Sequence, residues 1–124
     1  MHFDYVDIGT CDFETSLDVK KEGETILLVE PLLYYLNKLP DGPGITKANL
    51  AVSDKKCEGK IYYVEEEDIK KYDLPFWIVG CNRFNEPHPT VAGIIRDYRA
   101  KKDDLPDDII KVSDCLTVTF KELL

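Results

Sequence analysis

The sequence predicts an α/β fold in which a mostly parallel sheet is covered by helices. In its first half, apolar runs typical of strands alternate with segments typical of short helices, in the order strand, helix, strand, helix, strand. The second strand, "TILLVE", carries four consecutive apolar residues without alternation, as expected for a strand covered on both faces. A hairpin then follows, so the sheet is expected to be mostly, but not wholly, parallel.

Each element of the first half has a local signal at its boundaries. Gly9 ends the first strand, Gly23 closes the helical segment that follows, and Pro31 stops the second strand. The loop "PDGPG" precedes the third strand, and the turn "SDKKCEGK" joins it to the fourth. The predicted elements are a strand at 5–8, a helix at 12–21, a strand at 25–30, a helix at 32–39, and strands at 45–53 and 60–66.

The second half of the chain is less regular but fits the same domain. Residues 76–79 are either a short strand or a buried segment, and residues 89–98 form a short helix. The polar loop "KKDDLPDD" leads to a last strand at 115–119 and a terminal helical turn. At 124 residues, with 44% hydrophobic residues, the chain is predicted to be one domain with a small core.

Composition argues against several classes of partner. The net charge of −8 and the scattered lysine pairs disfavour binding to nucleic acid, which needs clustered basic residues. No run approaches the roughly 20 apolar residues of a membrane span, and the start does not resemble a signal peptide. The four dispersed cysteines lack the clustering of a zinc site and are expected to be free thiols rather than two disulfides. These features favour a cytoplasmic protein without a metal site.

The corner after the first strand is the first candidate for a ligand site. Gly9 allows a ligand close to the backbone, and Asp7 can accept hydrogen bonds from an ammonium group or a loop amide. Glu30 ends the second strand, and neighbouring parallel strands bring their carboxyl ends side by side. A carboxylate at that position binds a ribose diol in dinucleotide-binding folds. The alternative is an ordinary turn and a solvent-facing glutamate.

Three motifs resemble one family of enzymes. The segments "VDIGTCDFETS", "LLVEP" and "ANLAVSD" are similar, in order and spacing, to motifs of the FkbM family of S-adenosylmethionine-dependent methyltransferases. The tail "LTVTFKELL" resembles a further segment of that family. The resemblance covers nearly the whole chain and implies a Rossmann-like class I methyltransferase fold with S-adenosylmethionine as cofactor.

The resemblance also implies a set of cofactor-binding residues. Glu30 would bind the ribose hydroxyls, and the first-strand residues would lie along the methionine part of the cofactor. Residues after the second strand would shape the adenine side, and residues of the third strand would line the adenine edge, although plain core packing is the alternative for Leu50 and Ala51. The implied set is Asp7, Gly9, Thr10, Glu30, Pro31, Leu32, Asn49, Leu50 and Ala51.

The chain departs from the family pattern in two ways. Phe13 stands near the position of a second family glycine, and Asp12 is expected to cap the following helix rather than touch the cofactor. The chain also stops before the family's next strand, which carries a D-x-E-G motif. It is therefore expected to be a fragment, a naturally short relative, or an inactive relative. An open sheet edge then predicts a homo-oligomer or a partner protein.

Two classes of function follow from the sequence. The first is methyl transfer to a hydroxyl group of a small molecule or sugar, or the cofactor-binding half of such an enzyme. The second is a catalytically inactive interaction or structural protein. A nicotinamide dehydrogenase is disfavoured because the three-glycine fingerprint is absent. His88, Asp114 and Cys115 are weak candidates for a base, so no catalytic residue is assigned.

Overall fold

A computed structural model of the chain describes residues 2–11, 16–102 and 104–123. The chain divides into two compact units, one made of Met1–Glu58 with Cys115–Leu124 and the other of Gly59–Asp114. The strands are β1 (Tyr5–Ile8), β2 (Ile26–Val29), β3 (Ile45–Ala48), β4 (Ala51–Val52), β5 (Cys57–Val64), β6 (Arg83–Phe84) and β7 (Ile110–Val118). The helices are α1 (Leu33–Leu36), α2 (Glu66–Lys71), α3 (Pro89–Lys101) and α4 (Phe120–Leu123), with 3-10 helices at Ser16–Asp18 and Phe76–Gly80.

The first unit contains a parallel sheet with the order β1–β2–β3. Residues 5–8 of β1 pair in register with residues 26–29 of β2, which pair in turn with residues 45–48 of β3. All four residues of β2 are buried, as their unbroken apolar run predicts. The prediction of an α/β fold with a parallel sheet is confirmed for these strands, and β1 forms an edge of this sheet.

Alternate residues of the parallel strands serve two different faces. On one face, Ile26 and Leu28 form a buried cluster with Leu36 and Leu39, against which Tyr5, Leu17 and Ile45 pack. On the other face, β2 and β3 contribute to the lining of a mostly apolar cavity of about 300 Å³. The cavity is lined by Phe3, Leu27, Thr46, Ala48, Leu50, Val118, Glu122 and Leu123.

The second sheet corrects two sequence predictions. Its order is β4–β7–β5–β6, so β7 lies between β4 and β5, and the predicted hairpin of the third and fourth strands is wrong. The predicted strand at 45–53 is in fact two strands, β3 and β4, in different sheets. The break falls at Asn49 and Leu50, where the Asn49 side chain bonds to main-chain carbonyls of the loop after β2. A parallel pairing joins Ala51 and Val52 of β4 to residues 117–118 of β7.

The second unit is built around α3 and parts of β5 and β7. The predicted helix at 89–98 is confirmed, beginning at Pro89 after His88, whose Nδ1 accepts the Thr90 amide at 3.2 Å. Residues 76–79 lie in a 3-10 helix, with Ile78 and Val79 buried and Trp77 about half exposed. The helix α2 and the short strand β6 have no counterpart in the predicted order of elements.

The connection after β1 also differs from its prediction. A helix is expected at 12–21, but its described part is a three-residue 3-10 helix at Ser16–Asp18. Glycine and turn residues follow, and Gly23 has a φ of +85°, which allows the chain to reverse before β2. The cap assigned to Asp12 and the departure at Phe13 fall on residues 12–15, outside the described part of the chain.

Two features are lacking from the described ranges. Over residues 2–11, 16–102 and 104–123, no helix has the length and apolar character needed to cross a bilayer. The same ranges contain no group of three or more His, Cys, Asp or Glu side chains arranged to hold a metal ion.

Candidate functional site

The carboxyl ends of β1, β2 and β3 are joined by main-chain hydrogen bonds. The Gly9 amide donates to the Val29 carbonyl at 2.8 Å, which brings the end of β1 beside the end of β2. The Glu30 amide donates to the Ala48 carbonyl at 3.1 Å, which brings the end of β2 beside the end of β3. The three loops that leave the sheet at this edge therefore start side by side, as the order of the strands requires.

Glu30 is a buried carboxylate at the centre of this edge, with only 5% of its surface exposed. One carboxylate oxygen accepts the Cys11 amide at 2.7 Å, and the other accepts the Leu32 amide at 2.6 Å. Hydrogen bonds to an ionised acceptor are short and strong, and they offset the cost of burying the carboxylate. The solvent-facing alternative for Glu30 is wrong: its carboxylate is directed towards the bend after β1.

Asn49, the residue that follows β3, bonds to the same loop. Its side-chain nitrogen donates to the Glu30 carbonyl at 3.0 Å and to the Pro31 carbonyl at 2.9 Å. We refer to Cys11, Glu30, Leu32 and Asn49, with these hydrogen bonds, as the Glu30 network. The network links the residues that follow β1, β2 and β3 into one polar cluster.

The bend after β1 has an unusual backbone. Gly9 has a φ of +75° and Cys11 a φ of +49°, in the left-handed region that favours glycine. A Cβ placed on Gly9 would meet no atom within 4 Å, so space is open beside the backbone at this position. Thr10 is buried between them, and its hydroxyl donates to the Cys11 carbonyl at 3.2 Å. The backbone at Gly9 is thus not covered by a side chain of its own or by neighbouring atoms at that position.

Asp7 orients a loop rather than pointing into open space. Its carboxylate accepts hydrogen bonds from the Ser16 amide and, at 2.8 Å, from the Ser16 hydroxyl. This contact holds the start of the 3-10 helix over the end of β1, in the manner of a helix cap. Of the two roles considered for Asp7, the geometry is that of a carboxylate orienting a loop amide.

The remaining residues of the implied site fall into two groups. Pro31 and Leu32 follow Glu30 directly, and Leu32 is fully buried. Leu50 lies in the lining of the apolar cavity on the other face of the sheet, and Ala51 is a buried residue of β4 paired with Thr117. The surroundings of Ala51 are therefore those of core packing, the alternative considered for it, whereas Leu50 is half-buried and faces the cavity.

Cys115 lies close enough to Glu30 to sense its charge. Burial raises the pKa of the Cys115 thiol, a hydrogen bond from the Ala51 backbone lowers it, and the Glu30 carboxylate raises it. Because the net effect is upward, the thiol stays protonated at neutral pH and is a poor nucleophile or base. Cys115 is thus a small buried residue with a packing role.

The other two weak candidates lie in the second unit. His88 caps α3 through Nδ1, as described above. Asp114 is an exposed partner of Lys60, with 2.7 Å between Oδ1 and Nζ. Both side chains thus have local structural contacts.

Sequence reasoning missed Cys11 and Ser16, and it named Leu32 without the contact of its amide with Glu30. The amides of Cys11 and Leu32 are backbone groups, so the identity of these residues does not indicate that their amides bind Glu30. Ser16 is of a residue type that is favoured at the start of a helical turn, but it lies nine positions from Asp7, too far for a local sequence pattern.

No family model, curated protein or solved structure matches the chain. What the site binds is therefore inferred from its own contacts and from the motifs that its residues form.

Proposed function

We propose that the carboxyl edge of β1–β2–β3 binds S-adenosylmethionine. The chain would then be a methyltransferase with a Rossmann-like class I fold, or the cofactor-binding half of one. The observation that carries this proposal is the position of Glu30: it is a buried carboxylate at the end of the middle strand, turned towards the glycine bend of the neighbouring strand. An acid at that position is suited to the ribose of a nucleoside cofactor. The motifs similar to those of the FkbM family supply the choice of cofactor.

The chemistry asks little of the protein beyond positioning. With S-adenosylmethionine held by Glu30 and the Gly9 bend, its sulfonium would supply a methyl group to an acceptor oxygen, and S-adenosylhomocysteine would leave with the electron pair of the broken carbon–sulfur bond. The hydroxyl proton passes to a base or to water. The acceptor class that the family resemblance favours is a small-molecule or sugar hydroxyl.

A second function has an observation in its favour. Both oxygens of Glu30 already accept backbone amides of this chain, so the carboxylate also serves as an internal fastener of the loops. A binding or structural protein that keeps the fold without catalysis needs no more than this. Cofactor titration separates the two functions.

The first test is calorimetric titration of the chain with S-adenosylhomocysteine and S-adenosylmethionine, with NAD as the comparison ligand. We expect a dissociation constant in the micromolar range for the S-adenosyl compounds and no measurable binding of NAD. Absence of binding at about 1 mM ligand, equivalent to less than about 4 kcal/mol of binding free energy, would support the structural alternative.

Gly9→Ala tests whether the cofactor lies at the bend. The new methyl group enters the open space beside the backbone, so we expect at least a tenfold loss of affinity for S-adenosylhomocysteine, about 1.4 kcal/mol. Gly23→Ala is the matched control, because Gly23 also has a positive φ and open space at its Cβ position. Both variants are expected to lose about 1 kcal/mol of stability to backbone strain. Equal affinities of the two variants for S-adenosylhomocysteine would show that the cofactor does not bind at the bend.

A further inference from the structure

We infer that Asn49 is a positioning residue whose side-chain nitrogen sets the direction of the Glu30 carboxylate. This inference deepens the proposed function, and the loss of cofactor affinity that it predicts rests on that function. The juxtaposition that carries it is the Asn49 side-chain nitrogen between two consecutive main-chain carbonyls, those of Glu30 and Pro31.

The two bonds occupy both hydrogens of the Asn49 side-chain nitrogen. An amide nitrogen carries two N–H groups, and the contacts at 3.0 Å and 2.9 Å give each of them one carbonyl partner. A nitrogen with both hydrogens bonded to the protein has no further donor for the adenine ring. The side-chain nitrogen of Asn49 is thus used within the chain, while a contact of its side-chain oxygen at the adenine edge stays a prediction.

These bonds complete the fixation of Glu30. Its amide is held by the Ala48 carbonyl at 3.1 Å, and its carbonyl is held by Asn49, so its backbone is fastened to β3 and to the residue after β3. The side chain then leaves a fixed main chain and reaches the Cys11 amide, which lies 19 positions earlier in the sequence. Asn49 thus sets the direction of the Glu30 carboxylate through the backbone of Glu30, without contacting the carboxylate itself.

The residue type at position 49 follows from this role. Aspartate has nearly the same shape but no donor, and it would set a negative charge against two carbonyl oxygens. Alanine would leave both carbonyls without the side-chain donor and would free the loop after β2. Only an amide of this length offers two donors at the required distance.

The test uses Asn49→Ala and Asn49→Asp, with Asn82→Ala as the matched control. Asn82 also donates through its side-chain nitrogen to a main-chain carbonyl, that of Val79 at 3.4 Å, but it lies in the other unit. The first readout is amide hydrogen exchange without ligand. We expect exchange of the Cys11 and Leu32 amides to become at least tenfold faster in both Asn49 variants, with Asn49→Asp the more affected.

The Ile26 amide is the internal reference for this readout. It bonds to the Gly44 carbonyl at 2.8 Å in the same unit and does not belong to the Glu30 network. Faster exchange at Cys11 and Leu32 with little change at Ile26 supports positioning. An equal acceleration at all three amides, or none at Cys11, overturns the inference because it indicates general loss of stability or no coupling.

The second readout is affinity for S-adenosylhomocysteine. We expect at least a fivefold loss in Asn49→Ala and unchanged affinity in Asn82→Ala. Wild-type affinity in Asn49→Ala would overturn the claim that positioning by Asn49 contributes to cofactor binding. If the wild-type chain itself binds no cofactor, the proposed function fails, while the exchange of the Cys11 amide still decides whether Asn49 positions Glu30.

Discussion

Replacement of Glu30 by alanine is expected to lower the free energy of unfolding by about 3 kcal/mol. The substitution leaves the Cys11 and Leu32 amides without their carboxylate acceptors in a region where Glu30 is only 5% exposed. An unsatisfied buried donor costs about 1–3 kcal/mol, and two are created here. Urea unfolding followed by circular dichroism measures the change, provided that the slope of the transition is unchanged.

Two further variants make this result specific. Glu22→Ala removes an exposed carboxylate of the same unit and is expected to change stability by less than about 0.5 kcal/mol. Glu30→Gln keeps one acceptor oxygen and the side-chain length, so an intermediate loss is expected. Equal stability of Glu30→Ala and wild type would show that the two amide contacts contribute nothing to this unit.

Replacement of Gly44 by alanine is expected to cost a similar amount, about 3 kcal/mol, for a different reason. Gly44 has a φ of +76°, and a Cβ built there would lie 2.5 Å from the Glu24 carbonyl oxygen. The left-handed conformation costs about 1–2 kcal/mol for an L-residue, and the overlap with main chain adds about 1–3 kcal/mol. Alanine also reduces the conformational freedom of the unfolded chain, which offsets less than about 1 kcal/mol of the loss. Thermal and urea unfolding both measure the loss.

Gly23→Ala separates the two causes at Gly44. Gly23 shares the positive φ, at +85°, but has no atom within 4 Å of its Cβ position, so only the conformational cost of about 1 kcal/mol is expected. The carbonyl of Gly44 also accepts the Ile26 amide at 2.8 Å, and movement of this turn disturbs the start of β2. Losses of the same size in both variants would contradict the predicted overlap.

The sequence predicted the parallel sheet well because each strand had a strong local signal. The buried run at residues 26–29 is apolar throughout, and Gly9 and Pro31 mark where β1 and β2 are followed by loops. The bend and Glu30 were also identified from sequence, because neighbouring parallel strands bring their carboxyl ends together.

The missed features depend on contacts that are distant in sequence. Nothing in "ITKANLAVS" signals that the strand breaks at Asn49, because the break depends on carbonyls 18 and 19 positions earlier. Insertion of β7 between β4 and β5 likewise joins residues about 60 positions apart, such as Cys57 and Thr117. The turn between the third and fourth predicted strands suggested that they pair as a hairpin. In the structure, β4 and β5 each pair with β7 instead.

A ¹⁵N NMR titration of the chain with S-adenosylhomocysteine tests the central claim most directly. The account predicts shifts concentrated at the amides of Gly9, Cys11 and Leu32, at the carboxyl ends of β1 and β2, with Gly23 and Gly44 unchanged. Shifts confined to residues away from this edge, or none at millimolar ligand, would contradict a cofactor site at Glu30.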